Sequence, residues 1–197
     1  MIALLLPAAL AAPLDLVLGG ADAGTYAARA QVGFPWTGAS AQVGVGKGWA
    51  LRADYETASF ARHQPALGVG YRWLDRRWRI TGEAMAGWVY QPGTLAQSGP
   101  SGELRIRAGR TGRVVPIVNL GMQGILPLTR TVVISDGGEE RSLSADTGLT
   151  LTGGLGVAVP IGARLAAEAG LDLDWVDVPT ISIPGAYVAI SVAGGER

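Results

Sequence analysis

The sequence predicts an all-β chain: a single closed antiparallel transmembrane barrel of about ten strands (eight and twelve are the alternatives), apolar outside and charged inside. Three observations lead there. Apolar and polar residues alternate with period two along most of the chain. The aromatic residues of the apolar set gather at the ends of the alternating segments. The composition is also too apolar for a wetted surface: charged residues are 16% and hydrophobic residues 48%, against about 25% charged in an ordinary soluble domain.

Taken in order, residues 1–23 read as a leader. Ile2 to Ala12 is an apolar run of signal-peptide length, too short to span a bilayer as a helix, and small-residue cleavage patterns follow at Ala9-Leu10-Ala11 and Ala21-Asp22-Ala23. The barrel domain is then 24–197. Its first two segments are 24–34 and 38–46. In the third, 49–59, Trp49, Leu51, Ala53 and Tyr55 oppose Arg52, Asp54 and Glu56. The fourth is 66–74. The fifth, 77–91, sets Trp78, Ile80, Gly82, Ala84, Ala86, Trp88 and Tyr90 against Arg77, Arg79, Thr81, Glu83 and Met85. The sixth, 102–109, opposes Leu104, Ile106 and Ala108 to Glu103, Arg105 and Arg107.

The seventh segment, 113–135, is interrupted by Pro127, read as a bulge or an exit from the membrane. After the eighth, 141–159, comes the clearest, 164–177. There Leu165, Ala167, Ala169, Leu171, Leu173 and Trp175 oppose Arg164, Glu168, Asp172 and Asp174. In the tenth, 181–194, Pro184-Gly185 reads as a second bulge. The connections alternate. Gly46-Lys47-Gly48, Asp75-Arg76, 109–112 and 160–163 are tight, whereas 60–65, 92–101 and 136–140 read as longer loops rich in Pro, Gly, Ser or charge.

The charged side collects Arg29, Arg52, Arg72, Arg77, Arg79, Arg105, Arg107, Arg113 and Arg164 against Asp54, Glu56, Glu83, Glu103, Glu168, Asp172 and Asp174. Near-balance suits an enclosed lumen, where an unpaired charge is costly. Of the 16 basic residues only Lys47 is lysine, and arginine is the better carboxylate partner in enclosed places. On the apolar side Trp49, Trp73 and Trp78 lie at tight-turn ends, while Phe34, Trp88, Tyr90 and Trp175 lie at long-loop ends. Two aromatic girdles around an aliphatic belt are what a bilayer interface selects. Strands in hydrocarbon have to close, because every backbone polar group needs an internal partner.

With its export-like start, its alternating strands, and hairpins such as Gly154-Leu-Gly-Val-Ala-Val-Pro-Ile-Gly-Ala-Arg-Leu165 followed by Glu168-Ala-Gly-Leu-Asp-Leu173, the chain resembles the small outer-membrane β-barrel, porin-like family over about residues 24–195. It ends on Gly194-Gly-Glu-Arg197 where many members end on an aromatic residue. The resemblance implies the cell outer membrane and lipid as the surrounding partner, and it carries no active-site motif.

The chemistry is sparse. The chain has no Cys and one histidine, His63, placed by the sequence in a loop at 61–65, so no zinc or iron ligand set and no cofactor is expected. Net charge is zero, which excludes a nucleic-acid footprint. Ser59, Glu56 and His63 are near in sequence, and an outer-membrane lipid hydrolase is the second alternative. Asp172 and Asp174 share a face and are expected to accept from Arg164 or another lumen arginine. Gly153-Gly154-Leu155-Gly156 is not a phosphate loop, since no helix follows. The favoured reading is a non-enzymatic barrel with a side-chain-filled lumen. Its role is structural or interactive, meeting envelope partners through loops 127–145 and 92–101. The first alternative is a narrow pore for small or charged solutes.

Overall fold

The computed structural model describes residues 17–18, 21–58, 62–75, 77–92, 95–126, 128–132, 148–176 and 181–195. The Ala9–Ala11 pattern, Ser59, Pro127, the 136–140 connection and Glu139-Glu140-Arg141 lie outside these residues. The strands are β1 (Thr25–Phe34), β2 (Trp36–Gly44), β3 (Trp49–Ala58), β4 (Arg62–Asp75), β5 (Trp78–Gln91), β6 (Leu95–Arg110), β7 (Val115–Ile125), β8 (Thr129–Val132), β9 (Gly148–Pro160), β10 (Leu165–Val176) and β11 (Ile181–Gly195).

Ten of these form a closed antiparallel ring. Sequence neighbours pair from β1 to β7, β7 pairs β9 across the short β8, and β9, β10 and β11 follow. The cylinder closes where Thr25 meets Gly195 and Phe34 meets Ala186. Closure leaves no exposed edge in the ring. Apart from β8, the strands have 9 to 16 residues, enough for the roughly 9–11 that a tilted strand needs to cross hydrocarbon.

Short turns join β2 to β3, β6 to β7 and β9 to β10 at one end. At the first of them Gly48 has φ +79°, and Arg72 donates its N–H to the Gly48 carbonyl at 2.9 Å. A Cβ on Gly48 would sit 3.2 Å from the Arg72 carbonyl, so backbone conformation and space both call for glycine.

At the opposite end the structure departs from the loop pattern expected of the sequence. Most of 92–101 is strand: Leu95–Pro100 extends β6, with Gln97 opposite Gln91 and Leu95 opposite Val132 of β8. Residues 62–65 likewise belong to β4, and only Pro35 separates β1 from β2. Gly, Pro and Ser suggested loops here, but ladder pairing satisfies backbone groups that a loop would have to expose to water. The Pro184-Gly185 bulge is also absent: Leu173 faces Pro184 and Asp172 faces Gly185 in unbroken register. Pro184 lies beyond Ala186, the last residue that pairs with β1, so one flank of the strand needs no donor there. The register shift falls instead between Arg72 and Leu74, on the β4–β5 seam.

The lumen and the lipid-facing wall as candidate functional site

Each strand of the ring exposes one side-chain set to the outside and encloses the other. Outward-facing Leu67 is 69% exposed and Leu155 66%, while inward-facing Arg52 and Glu83 are 4% and 3% exposed. Among the described residues, the outward set of the ring carries no Asp, Glu or Lys; it has a single arginine, Arg110, at the end of β6. Trp49, Trp73 and Trp78 stand outward at the short-turn end, Trp49 with its ring 4.6 Å from Tyr71. Phe34, Trp88 and Tyr90 stand outward at the other end, and Trp175 lies half-buried beside them. An aliphatic wall of this extent, rimmed by aromatics and with its one arginine at a strand end, has hydrocarbon as its solvent.

The chain is a closed antiparallel β-barrel of the transmembrane type. No family model and no curated protein matches the sequence. Among solved structures the chain is similar to the N-terminal β-barrel domain of OprF from Pseudomonas aeruginosa (12% identity over 89% of this chain and 99% of that one, TM-score 0.39). It is also similar to the outer-membrane protein OpdK from the same organism (8%, 88% and 67%, TM-score 0.32). A BenF-like porin from Pseudomonas fluorescens Pf-5 is a third (7%, 85% and 59%, TM-score 0.29). No described helix is long and apolar enough to cross a membrane, which says nothing of a strand-built barrel.

Inside, three groups of polar side chains meet. The largest joins β3, β5 and β6. Arg52 donates to Asp54 at 2.7 Å and to Glu83 at 2.6 Å. It reaches two strands away because the intervening inward positions on β4 are Gly68 and Gly70. Arg105 lies 2.5 Å from Glu103, 3.5 Å from Glu56, 3.8 Å from Asp54 and 4.0 Å from Glu83. A forked guanidinium serving several carboxylates offsets a desolvation that no single pair would.

In the second group Arg29 meets Glu168 at 3.2 Å, and the Tyr187 hydroxyl donates to the same carboxylate at 2.6 Å. The Tyr187 ring lies over Gly156 and Gly170, either of whose Cβ would strike it. In the third, the Trp36 indole donates to Asp174 at 2.6 Å while Arg62 stacks over the Trp36 ring at 5.3 Å and donates to Gln123 at 2.9 Å.

Of the charged residues named from sequence, Arg29, Arg52, Arg72, Arg79, Arg105, Arg107, Asp54, Glu56, Glu83, Glu103, Glu168, Asp172 and Asp174 face the enclosed volume. Arg77, Arg113 and Arg164 do not. They lie exposed at the short turns, where the alternation runs out and the chain reverses. Asp174 accordingly accepts from Trp36 and not from Arg164. Arg62 was missed because 60–65 read as a loop, yet it is inward-facing. With it included and the three turn residues removed, the described lumen holds seven arginines and seven carboxylates.

Trp36 was missed for a similar reason. It falls in the gap left between two segments, although Trp36, Gly38, Ser40 and Gln42 continue one parity. His63 is in β4, not in a loop, on the outer wall. Its Nδ1 shares a 2.7 Å hydrogen bond with the Tyr55 hydroxyl, and its ring stacks on Tyr90. Glu56 faces the lumen, so the strand wall separates it from His63, and these two members of the hydrolase constellation are not brought together. No group of His, Cys, Asp and Glu among the described residues could hold a metal ion.

Above the ion-pair groups, toward the end opposite the short turns, lies a cavity of about 320 Å³. Trp36, Glu56, Arg62, Asp172 and Asp174 line it, and Arg29, Arg105 and Arg107 bound it.

Proposed function

We propose that this chain is a sealed outer-membrane barrel with a structural or interaction role in the bacterial envelope and no catalytic role of its own. The observation that carries this reading is the buried Arg52–Asp54–Glu83–Arg105 cluster. It spans from β3 to β6 with side chains almost withdrawn from solvent. A ring of about ten strands has an interior that side chains can fill, whereas open aqueous channels belong to barrels of about 16 or more. The partner is membrane lipid around the wall. Other envelope proteins would meet the barrel where β5, β6 and β8 carry the wall past the end of β7.

The polar cavity favours a second reading, a narrow passage or binding place for a small charged solute. Planar-bilayer recording separates the two. The sealed barrel is expected to give no single-channel steps, and stable steps from the purified protein would hand the function to the pore. Arg105→Ser and Arg79→Ser, which thin the lumen, should then admit current, while Arg77→Ser at an exposed turn should not.

A further inference from the structure

Val17 and Leu18 are fully buried, and Ala21 is 1% exposed. They occupy the short-turn end of the lumen. Val17 and Leu18 pack with Val115 and Ile117 of β7, Ala158 of β9 and Ala166 of β10, all inward-facing. This half of the interior has a different chemistry from the charged middle. Many of its inward positions are small and apolar (Ala27, Ala50, Gly109, Ala158, Ala166 and Ala193), with Thr81, Arg79 and Arg107 among them as the polar ones nearest the segment. An open lumen here would expose Val115 and Ile117, which are 0% and 1% exposed, to water.

The wall also reaches for the backbone of the same segment. The Thr81 hydroxyl donates to the Leu18 carbonyl, and Arg107 donates to the Val17 carbonyl at 3.3 Å. Arg72 pairs with Asp22 at 2.6 Å, and Thr25 donates both its N–H and its hydroxyl to the Asp22 carbonyl. Space has been left as well. A Cβ on Gly109 would lie 2.6 Å from the Leu18 side chain, and one on Gly44 would strike the Asp22 carbonyl.

We propose that the segment bearing Val17, Leu18, Ala21 and Asp22 stays on the mature protein as a built-in plug of the short-turn end, so that leader removal occurs upstream of Val17. The Ala9-Leu10-Ala11 pattern then serves as the processing signal, and Ala21-Asp22-Ala23 does not. Cleavage after Ala23 would strip two carbonyl acceptors from buried Thr81 and Arg107 and leave an apolar hollow behind them. The inference deepens the sealed-barrel reading, but its test reads the N-terminus and not conductance, so either can fail alone.

The full chain is to be expressed with export, recovered from the outer-membrane fraction, and its N-terminus determined by sequencing and intact mass. A start at or before Val17 is expected; any later start, Gly24 above all, overturns the proposal. A Leu18→Cys variant supplies an independent readout, because the chain has no other cysteine. In the folded, heat-modifiable barrel it should resist a maleimide and label once heat unfolds it. Labelling of the folded form to the level of the unfolded form overturns the plug.

Discussion

Replacing Arg105 by Gln removes the guanidinium that lies within 4.0 Å of Glu103, Glu56, Asp54 and Glu83. Each contact near 4 Å is worth roughly 4 kcal/mol of Coulomb attraction at an effective dielectric constant of about 20. The desolvation of the guanidinium and its carboxylates takes back most of that sum. What remains is the cost of stranding carboxylates whose nearest remaining cation, Arg52, already serves Asp54 and Glu83. Breaking a buried cluster from one side costs about 3–5 kcal/mol. Reversible urea unfolding from lipid vesicles, followed by tryptophan emission, reads this as a shifted midpoint. The double variant Arg105→Gln with Glu103→Gln should recover part of the loss, since the 2.5 Å contact then leaves no orphaned charge. A loss below about 1 kcal/mol for Arg105→Gln alone, the range of a solvated surface pair, would refute the reasoning.

Other outcomes follow from the two faces of the wall. Leu120 stands outward, 58% exposed, in the middle of β7, and Leu120→Arg should cost about 2–4 kcal/mol in a bilayer; tolerance of the change would argue against lipid contact there. A variant retaining only Trp73 should be quenched by brominated lipid, whereas one retaining only Trp36, which donates into the lumen, should not; equal quenching would contradict the inward placement of Trp36. Tyr187→Phe removes a 2.6 Å donor to Glu168 and should lower stability by about 1.5–3 kcal/mol by the same unfolding assay, and an unchanged midpoint would show that water replaces the hydroxyl.

Much of the wall could be read directly from the sequence. Side-chain direction in a strand depends only on position parity, so β3, β5 and β10 announced their two faces in the order of their own residues. The ends were less legible. Gly, Pro and Ser near 62–65 and 95–100 favour turns in isolation, and only the neighbouring strand makes extended pairing the better home for those backbone groups. Arg62 and Trp36 were lost to that ambiguity. Arg77, Arg113 and Arg164 were gained by the opposite error, parity extended into turns.

By itself, then, the order of residues determined that the chain pairs antiparallel strands, which face of each is greasy, and that the charges collect on the other. Those are local properties, set by a two-residue period and by what hydrocarbon tolerates. The tertiary structure alone decided which charges meet. Arg29 and Glu168 are separated by 139 residues and Arg52 and Glu83 by 31, and it is the closure and stagger of the ring that bring them together. It alone, too, placed Val17 and Leu18 against Val115 and Ile117, because a hollow exists to be filled only once the cylinder has closed.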